Sequence, residues 1–155
     1  MSLYTLYIRK ICLFCSRKQY IYYLSIIMAK SKINLEYPLN TVSGSFLWNA
    51  ISTTTGLQTW MAEKVNVKEN IFTFEWSKDE IRQAELTHKR AHSHVRFHWI
   101  DDEDPKSYFE LRMEANELTG DYTLLITDFA EEDEIEEMKD LWNIEVETLL
   151  RLGGM

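Results

Sequence analysis

All four histidines of the chain lie in one short stretch, where they alternate with basic and aromatic residues. This basic stretch contains His88, Lys89, Arg90, His92, His94, Arg96 and His98. His92 and His94 could supply two ligands to Zn²⁺, but a zinc site needs at least three protein ligands and no third is identifiable. We therefore expect no metal site. The alternatives are a solvated positive face and a docking surface for an acidic partner or for the chain's own acidic helix.

Cys12 and Cys15 form a Cys-x-x-Cys pair. A zinc site of this type needs a second pair or spaced histidines, and a redox pair needs a thioredoxin-like context. Neither context is present, so we interpret the pair as incidental thiols. With no disulfide framework indicated, the cysteine usage fits a reducing cytoplasm.

Acidic residues form a run before the last helical segment, with six acids among the seven residues 131–137. A calcium loop needs ligands at set positions around a central Gly, and this run has no such Gly. Negative charge here favours the start of a helix instead. Glu145 differs, because it follows Trp142 by three residues and lies near an apolar stripe. We expect its carboxyl to face a cavity mouth or an interface, where it could anchor the polar end of a ligand.

Catalysis finds little support in the sequence. There is no Gly-x-Ser-x-Gly elbow, no phosphate-binding Gly loop and no evident set of Ser, His and acid. We assign no catalytic residue and expect no cofactor.

The composition is that of one folded acidic domain. At 155 residues with 45% hydrophobic content, the chain is long enough to bury one core. The formal net charge of −8 includes four bases in residues 1–27, so residues 28–155 hold 13 basic and 25 acidic side chains, a balance of −12. Such a domain repels phosphate backbones and anionic lipids, so we expect neither nucleic-acid nor membrane binding by it.

Residues 1–27 differ in composition from the rest of the chain. They lack acids, Gly and Pro, and the longest uncharged run, Gln19 to Ala29, is about half of the roughly 20 residues that a membrane-spanning helix needs. Their order is not that of a secretory signal. Because Met28 and its neighbours read as an ordinary start, we expect residues 1–27 to derive from upstream translation or added sequence, and residues 28–155 to form the domain. The alternative is an amphipathic anchor on a membrane or partner.

The apolar pattern of residues 32–153 predicts an α+β domain. Alternating apolar residues predict a first strand that ends at Pro38. Two short helices follow, separated by a break at Thr53-Thr-Thr-Gly56. From Lys64 onward the period becomes two, which predicts six strands joined by short turns in an antiparallel meander.

The last predicted element is a long amphipathic helix of about 20 residues, or about 30 Å. Acids at residues 131–134 favour its start and Gly153-Gly154 its end. Its apolar stripe consists of Ile135, Met138, Leu141, Trp142, Leu149 and Leu152. The only apolar surface of matching size is the inner face of the sheet.

One face of the predicted strands is strongly aromatic. By strand phase, the inward residues are Phe72, Phe74, Trp76, Val95, Phe97, Trp99, Phe109, Leu111 and Met113. We expect Arg112 and Glu114, on the other phase, to be exposed. Such a set can form a plain core, or line a ligand cavity with a few polar anchors. Glu145 is the candidate anchor, and the candidate lining residues are Trp60, Phe74, Trp76, Phe97, Trp99, Met113 and Trp142.

Three segments carry a family resemblance over residues 32–153: the helix pair that ends in Leu57-Gln-Thr-Trp60, the strand His94-Val-Arg-Phe-His-Trp99, and the tail from Leu124 through Leu141-Trp142 to Gly153. With the order of a strand, two helices, six strands and a long helix, they resemble the helix-grip architecture of the START-like (SRPBCC) superfamily. The likeness is greatest to the small bacterial branch near the Aha1 C-terminal-like and polyketide-cyclase-like proteins.

The resemblance implies a curved sheet that grips the last helix, with a deep apolar cavity for a lipid, sterol, polyketide or other hydrophobic ligand. The hypothesis we favour is therefore a cytoplasmic domain that binds a small hydrophobic molecule. Members of the superfamily differ in function, so the fold alone does not identify the function of this chain. One alternative is an Aha1-like protein-interaction module, and another is a cyclase- or hydrolase-like enzyme with a polar group directed into the cavity. A homodimer is left open.

Overall fold

The computed structural model describes residues 29–40 and 42–154, together with Lys18. The predicted N-terminal segment, with its Cys-x-x-Cys pair, lies outside these residues except for Lys18. The interpretation of that segment stays a prediction.

The elements below all belong to one compact unit, residues 31–155 of the chain. No helix in the described ranges is long and apolar enough to cross a membrane. In chain order the elements are β1 (Ser31–Leu39), α1 (Gly44–Ser52), α2 (Thr54–Gln58), β2 (Lys64–Lys68), β3 (Ile71–Ser77), β4 (Glu80–Arg90), β5 (His94–Trp99), β6 (Phe109–Ala115), β7 (Tyr122–Ala130), a 3₁₀ turn (Glu132–Glu134) and α3 (Ile135–Leu152).

The strands form one curved antiparallel sheet in the order β1-β7-β6-β5-β4-β3-β2. β2 to β7 follow each other as a meander, and β1 pairs with β7 along its whole length, from Ser31 opposite Ala130 to Leu39 opposite Tyr122. The long helix α3 follows β7 after the short 3₁₀ turn. The predicted α+β fold, a strand, two helices, six strands and a long helix, is confirmed.

Two element boundaries differ from the prediction. β1 continues through Pro38 to Leu39. β1 is an edge strand, and a proline is tolerated there because alternate N–H groups of such a strand point away from the ladder. The break between the two short helices is a single residue, Thr53. Its Oγ1 accepts a 2.9 Å hydrogen bond from the N–H of Gly56, so Thr53 caps α2.

The buried face of α3 is narrower than the predicted stripe. It consists of Trp142, Val146 and Leu149, which are 1–5% exposed. Leu141 and Leu152, which we assigned to the stripe, are each 51% exposed. At 100° per residue they lie roughly 90–110° from the centre of the buried face, so the sheet does not reach them.

The inner face of the sheet has the predicted phase. Seven of the inward residues are 6% exposed or less: Phe72, Phe74, Val95, Phe97, Phe109, Leu111 and Met113. The other two, Trp76 and Trp99, lie near the C-terminal ends of their strands and are partly buried. They join α1, α2 and α3 in one apolar core.

Candidate functional site

The inner face of β3, β5 and β6 carries a continuous aromatic wall, which also includes Trp142 of α3. Phe97 stacks on Phe109 with ring centroids 4.9 Å apart, and Trp99 lies 4.9 Å from the same ring. Phe109 lies 6.2 Å from Trp142 across the sheet–helix interface. Together the wall comprises Phe74, Trp76, Phe97, Trp99, Phe109 and Trp142.

Trp60 extends the wall at the end of α2. Its ring lies 6.4 Å from that of Trp142, and its indole N–H donates a 3.0 Å hydrogen bond to the backbone oxygen of Ala50. Trp76 is held in the same way, because its N–H donates to the backbone oxygen of Met61. The indole N–H groups are thus turned towards the backbone of the helical pair and its end, which leaves the ring surfaces for apolar contact.

A buried carboxylate interrupts the apolar inner face. Asp128 of β7 is in phase with the inward residues Leu124 and Ile126, and it is 7% exposed. Its Oδ2 accepts a 2.8 Å hydrogen bond from the indole N–H of Trp142, and its Oδ1 accepts one from the N–H of Phe129. These bonds satisfy a charged group that would otherwise be costly to bury.

Glu145 lies one helical turn after Trp142 and is partly buried. Burial raises the pKa of Glu145 to about 8, and the negative charge of Asp128 raises it further in the same direction. No described residue donates a hydrogen bond to this carboxyl. At neutral pH it is therefore mostly a neutral acid, with both an O–H donor and an acceptor oxygen free.

The structure brings most of the predicted lining residues together. Phe74, Trp76, Phe97, Trp99 and Trp142 lie in the aromatic wall, and Trp60 adjoins it through Trp142. Met113 is buried on the inner face of β6, opposite Leu124 of β7. Phe109 was predicted to face inward but was not among the candidate lining residues, although it contacts four other aromatic rings.

Asp128 is the polar residue that sequence reasoning missed. Its signal was available, because the alternation of Leu124, Ile126 and Ala130 places residue 128 on the inner face. With Asp128 and Glu145 there, the inner surface is not wholly apolar. The cyclase- or hydrolase-like hypothesis requires a polar group on this surface, and Asp128 and Glu145 are such groups.

The outer face of the sheet carries an ion triad centred on Glu110. Arg96 and Arg112 each approach the carboxylate of Glu110, at 2.8 and 3.0 Å. Glu110 is 5% exposed. Burial opposes its ionisation, but the hydrogen bonds from both arginines outweigh burial and hold the pKa of Glu110 below its usual range. The expectation that Arg112 is exposed is wrong: the side chain is 33% exposed because it packs along the buried carboxylate.

The histidines lie apart from the aromatic wall. His92 occupies the turn between β4 and β5 with a positive φ of 54°, and its ring lies 5.5 Å from that of Trp48. His98 shares an outer groove of about 320 Å³ with Arg96 and Tyr108. Among the described residues, no three His, Cys, Asp or Glu side chains are grouped so as to hold a metal ion.

Comparison with known proteins identifies the kind of domain. A family model for the START-like superfamily domain matches residues 27–155. This match confirms the resemblance inferred from the order of elements. No curated protein matches the chain.

Several solved structures are similar to this chain. The Bacteroides fragilis protein BfR322, solved by NMR, is 53% identical, with 81% of this chain and 92% of that chain covered and a TM-score of 0.59. The Aha1 dimer from Colwellia psychrerythraea is 13% identical, with coverage of 79% and 96% and a TM-score of 0.65. CalU16 from Micromonospora echinospora is 16% identical, with coverage of 76% and 71% and a TM-score of 0.57. The latter two likenesses concern the fold alone.

Proposed function

Because the chain belongs to the START-like superfamily, we propose that it binds a small hydrophobic molecule, lipid-like or aromatic, between the sheet and α3. In this proposal the rings of the aromatic wall contact the apolar body of the ligand. The carboxyl of Glu145 contacts its polar end.

The observation that carries the proposal is the position of Glu145. A partly buried carboxyl with no hydrogen-bond donor among the described residues lies one helical turn after Trp142, a member of the aromatic wall. Ligand sites are mostly apolar and contain a few polar groups that fix orientation. A neutral carboxylic acid suits a ligand hydroxyl or carbonyl, since it can both donate and accept.

The aromatic wall supports the same proposal. Ring surfaces provide large apolar contact areas, and the indole N–H groups of Trp60, Trp76 and Trp142 are already bonded to protein oxygens. Because Trp60 and Trp142 are each 5% exposed, a ligand that lies against these rings has to displace neighbouring apolar side chains, but it need not break these hydrogen bonds. This favours a flat or chain-like apolar molecule over a sugar or nucleotide.

Indole signals give a direct test. The full chain, labelled with ¹⁵N, would be titrated with palmitic acid and, separately, with naphthalene-2-methanol, while the tryptophan N–H resonances are followed. We expect Trp60, Trp99 and Trp142 to shift. Trp48 is the internal control, because its ring lies beside His92 and Lys89 and not in the wall.

A matched pair of variants tests the anchor. Glu145→Met keeps most of the volume of the side chain but removes both the donor and the acceptor, so it should weaken binding of naphthalene-2-methanol about tenfold, the loss of roughly one good hydrogen bond. Glu147→Met, at an exposed position of the same helix, should leave the affinity unchanged. If neither compound shifts any wall residue, and native mass spectrometry of the purified chain finds no bound molecule, the proposal is wrong.

A second candidate function is docking of an acidic protein partner on the basic stretch. It is favoured by the outer face, where Arg96 and Arg112 share one buried carboxylate and so leave a net positive charge. Arg96 is a poor residue to reverse, because Arg96→Glu would place a second acid against Glu110. Arg90 is exposed and is the better choice. We expect Arg90→Glu to weaken binding of a hexaglutamate peptide at low salt, and unchanged binding would exclude this surface.

A further inference from the structure

The side of α3 that faces away from the core carries an exposed apolar line, which we call the helix stripe. It consists of three exposed aliphatic residues, Leu141, Ile144 and Leu152, and of the partly buried Thr148 between them, at successive spacings of three, four and four residues. The hydroxyl of Thr148 donates a hydrogen bond to the backbone oxygen of Ile144. The three aliphatic side chains are 51%, 62% and 51% exposed. Residues at such spacings lie above one another on one side of a helix.

Isolated apolar residues are normal on a protein surface, but a continuous line of them marks an interaction surface. Leu118 is an isolated example, since it is 96% exposed in the turn before β7. The helix stripe differs because its members adjoin each other along about three turns. The buried face of α3, at Trp142, Val146 and Leu149, points elsewhere, so the stripe is not part of the core.

We propose that the helix stripe is the contact surface for a second copy of this chain, bound with the two α3 helices antiparallel. A two-fold axis near residues 146 and 147 would put Leu141 opposite the partner's Leu152. It would put Ile144 opposite the partner's Thr148. The same patch thus serves both copies, as in most homodimers.

The charges beside the stripe fit this arrangement. Asp140 and Arg151 lie on the same flank of the stripe, near opposite ends of α3. In an antiparallel pair the same flanks face each other, so Arg151 lies opposite the partner's Asp140, and the reverse. Arg151 has no carboxylate partner among the described residues of its own chain. The antiparallel helix dipoles favour the same orientation.

The flanking charges disfavour a lipid surface as the occupant. Glu137, Asp140 and Glu147 adjoin the stripe, and residues 28–155 carry a balance of −12. Anionic membranes repel such a surface. The three aliphatic side chains cover less area than a standard interface of about 1,600 Å², so the dimer should be weak, with a Kd between about 10 µM and 1 mM.

Sedimentation velocity of the full chain over roughly 10 µM to 1 mM tests the proposal. The weight-average mass should rise from 18.5 kDa towards twice that value as concentration increases. Ile144→Glu should raise the Kd at least about tenfold. Leu118→Glu is the matched control: it adds the same charge at a more exposed leucine and should leave the Kd unchanged.

A charge exchange separates the specific pairing from general hydrophobic association. Arg151→Asp should weaken the dimer, and the double variant with Asp140→Arg should restore it. The proposal is overturned if the chain stays monomeric throughout, if Ile144→Glu leaves the dimer intact, or if the double variant is no tighter than Arg151→Asp alone. Arg151→Asp and the double variant change side chains at least five residues from Glu145, on the opposite flank of the stripe. Ligand binding by these two variants should be unchanged, so each proposal can fail without the other.

Discussion

The indole N–H of Trp142 donates a hydrogen bond of 2.8 Å to Oδ2 of Asp128. This bond joins the middle of α3 to the inner face of β7, and both residues are at least 93% buried. Glu145 lies one turn further along α3, where burial raises its pKa most and the charge of Asp128 raises it further. The residue that accepts the hydrogen bond between sheet and helix therefore also contributes to the electrostatics of the candidate ligand site.

Removal of this hydrogen bond should destabilise the fold. Trp142→Phe retains an aromatic ring but deprives the buried carboxylate of Asp128 of a donor, and it leaves unfilled volume beside Phe109. We expect the free energy of unfolding to fall by about 2–4 kcal/mol in urea denaturation. Trp48→Phe is the control, because the Trp48 indole N–H bonds to no described residue, and it should cost about 1 kcal/mol or less. Equal losses for the two variants would argue against a special role for the bond.

The raised pKa of Glu145 predicts an unusual pH dependence of stability. Between its ordinary value and about 8, the folded state keeps the Glu145 proton while the unfolded state releases it. The folded state then binds more protons, so the free energy of unfolding falls as pH rises through this range. We expect a fall of about 1–3 kcal/mol, less than the full shift implies because the side chain is partly exposed.

Glu145→Gln isolates this effect from other titrating groups. Burial lowers the pKa of His94, which gives an opposite slope below its ordinary value, and the lowered pKa values of Asp101 and Glu110 act only in acid. These contributions cancel when the free energy of unfolding of the variant, measured by urea denaturation, is subtracted from that of the original chain. This difference in free energy should decrease from pH 5 to pH 8. A difference that is flat with pH would mean that Glu145 ionises normally. Asp128→Asn should lower the pKa of Glu145, as measured by ¹³C NMR of its carboxyl carbon.

The inner face was predictable because its signal is local. Strand alternation sets the direction of each side chain, and a sheet with one buried face leaves little freedom of phase. The width of the buried face of α3 was not predictable in the same way. Periodicity gives the direction of an apolar face, but only the contact with the sheet decides how wide the buried part is. For this reason Leu141 and Leu152 were predicted to face the core, whereas both are exposed.

Glu110 and Asp128 show a second limit. Both are acidic residues within strands, and acidic residues are ordinarily predicted to be exposed to solvent. The groups that make their burial tolerable come from elsewhere: Arg96 from the neighbouring strand and Trp142 from a helix. Such partners depend on strand register and helix placement, which the sequence alone does not provide.

The ion triad on the outer face predicts a strong effect of one uncharged substitution. Glu110→Gln removes the buried counter-charge of Arg96 and Arg112, and the amide cannot accept on both sides. We expect a loss of about 2–4 kcal/mol in the free energy of unfolding at pH 7. Glu114→Gln, on the same face of β6 but exposed, should change stability by less than about 0.5 kcal/mol. Because the pKa of Glu110 is lowered, the difference between the two variants should shrink as pH falls through and below its ordinary value.

Gly56 controls the close packing of α1 against α2, which in turn positions Trp60 next to Trp142. A Cβ at Gly56 would lie 1.9 Å from the backbone oxygen of Asn49 and 2.7 Å from the Cα of Ala50. Backbone atoms of α1 cannot yield as a flexible side chain can, so Gly56→Ala should force the helices apart and cost about 3 kcal/mol or more. Gly153→Ala is a graded control, because its nearest contact is a side-chain methyl of Val42 at 3.2 Å. In thermal unfolding, Gly56→Ala should have a much lower melting temperature than Gly153→Ala. The Trp60 indole resonance should move only in Gly56→Ala. Similar melting temperatures would show that α2 is not held by this contact, and that another part of the fold positions Trp60.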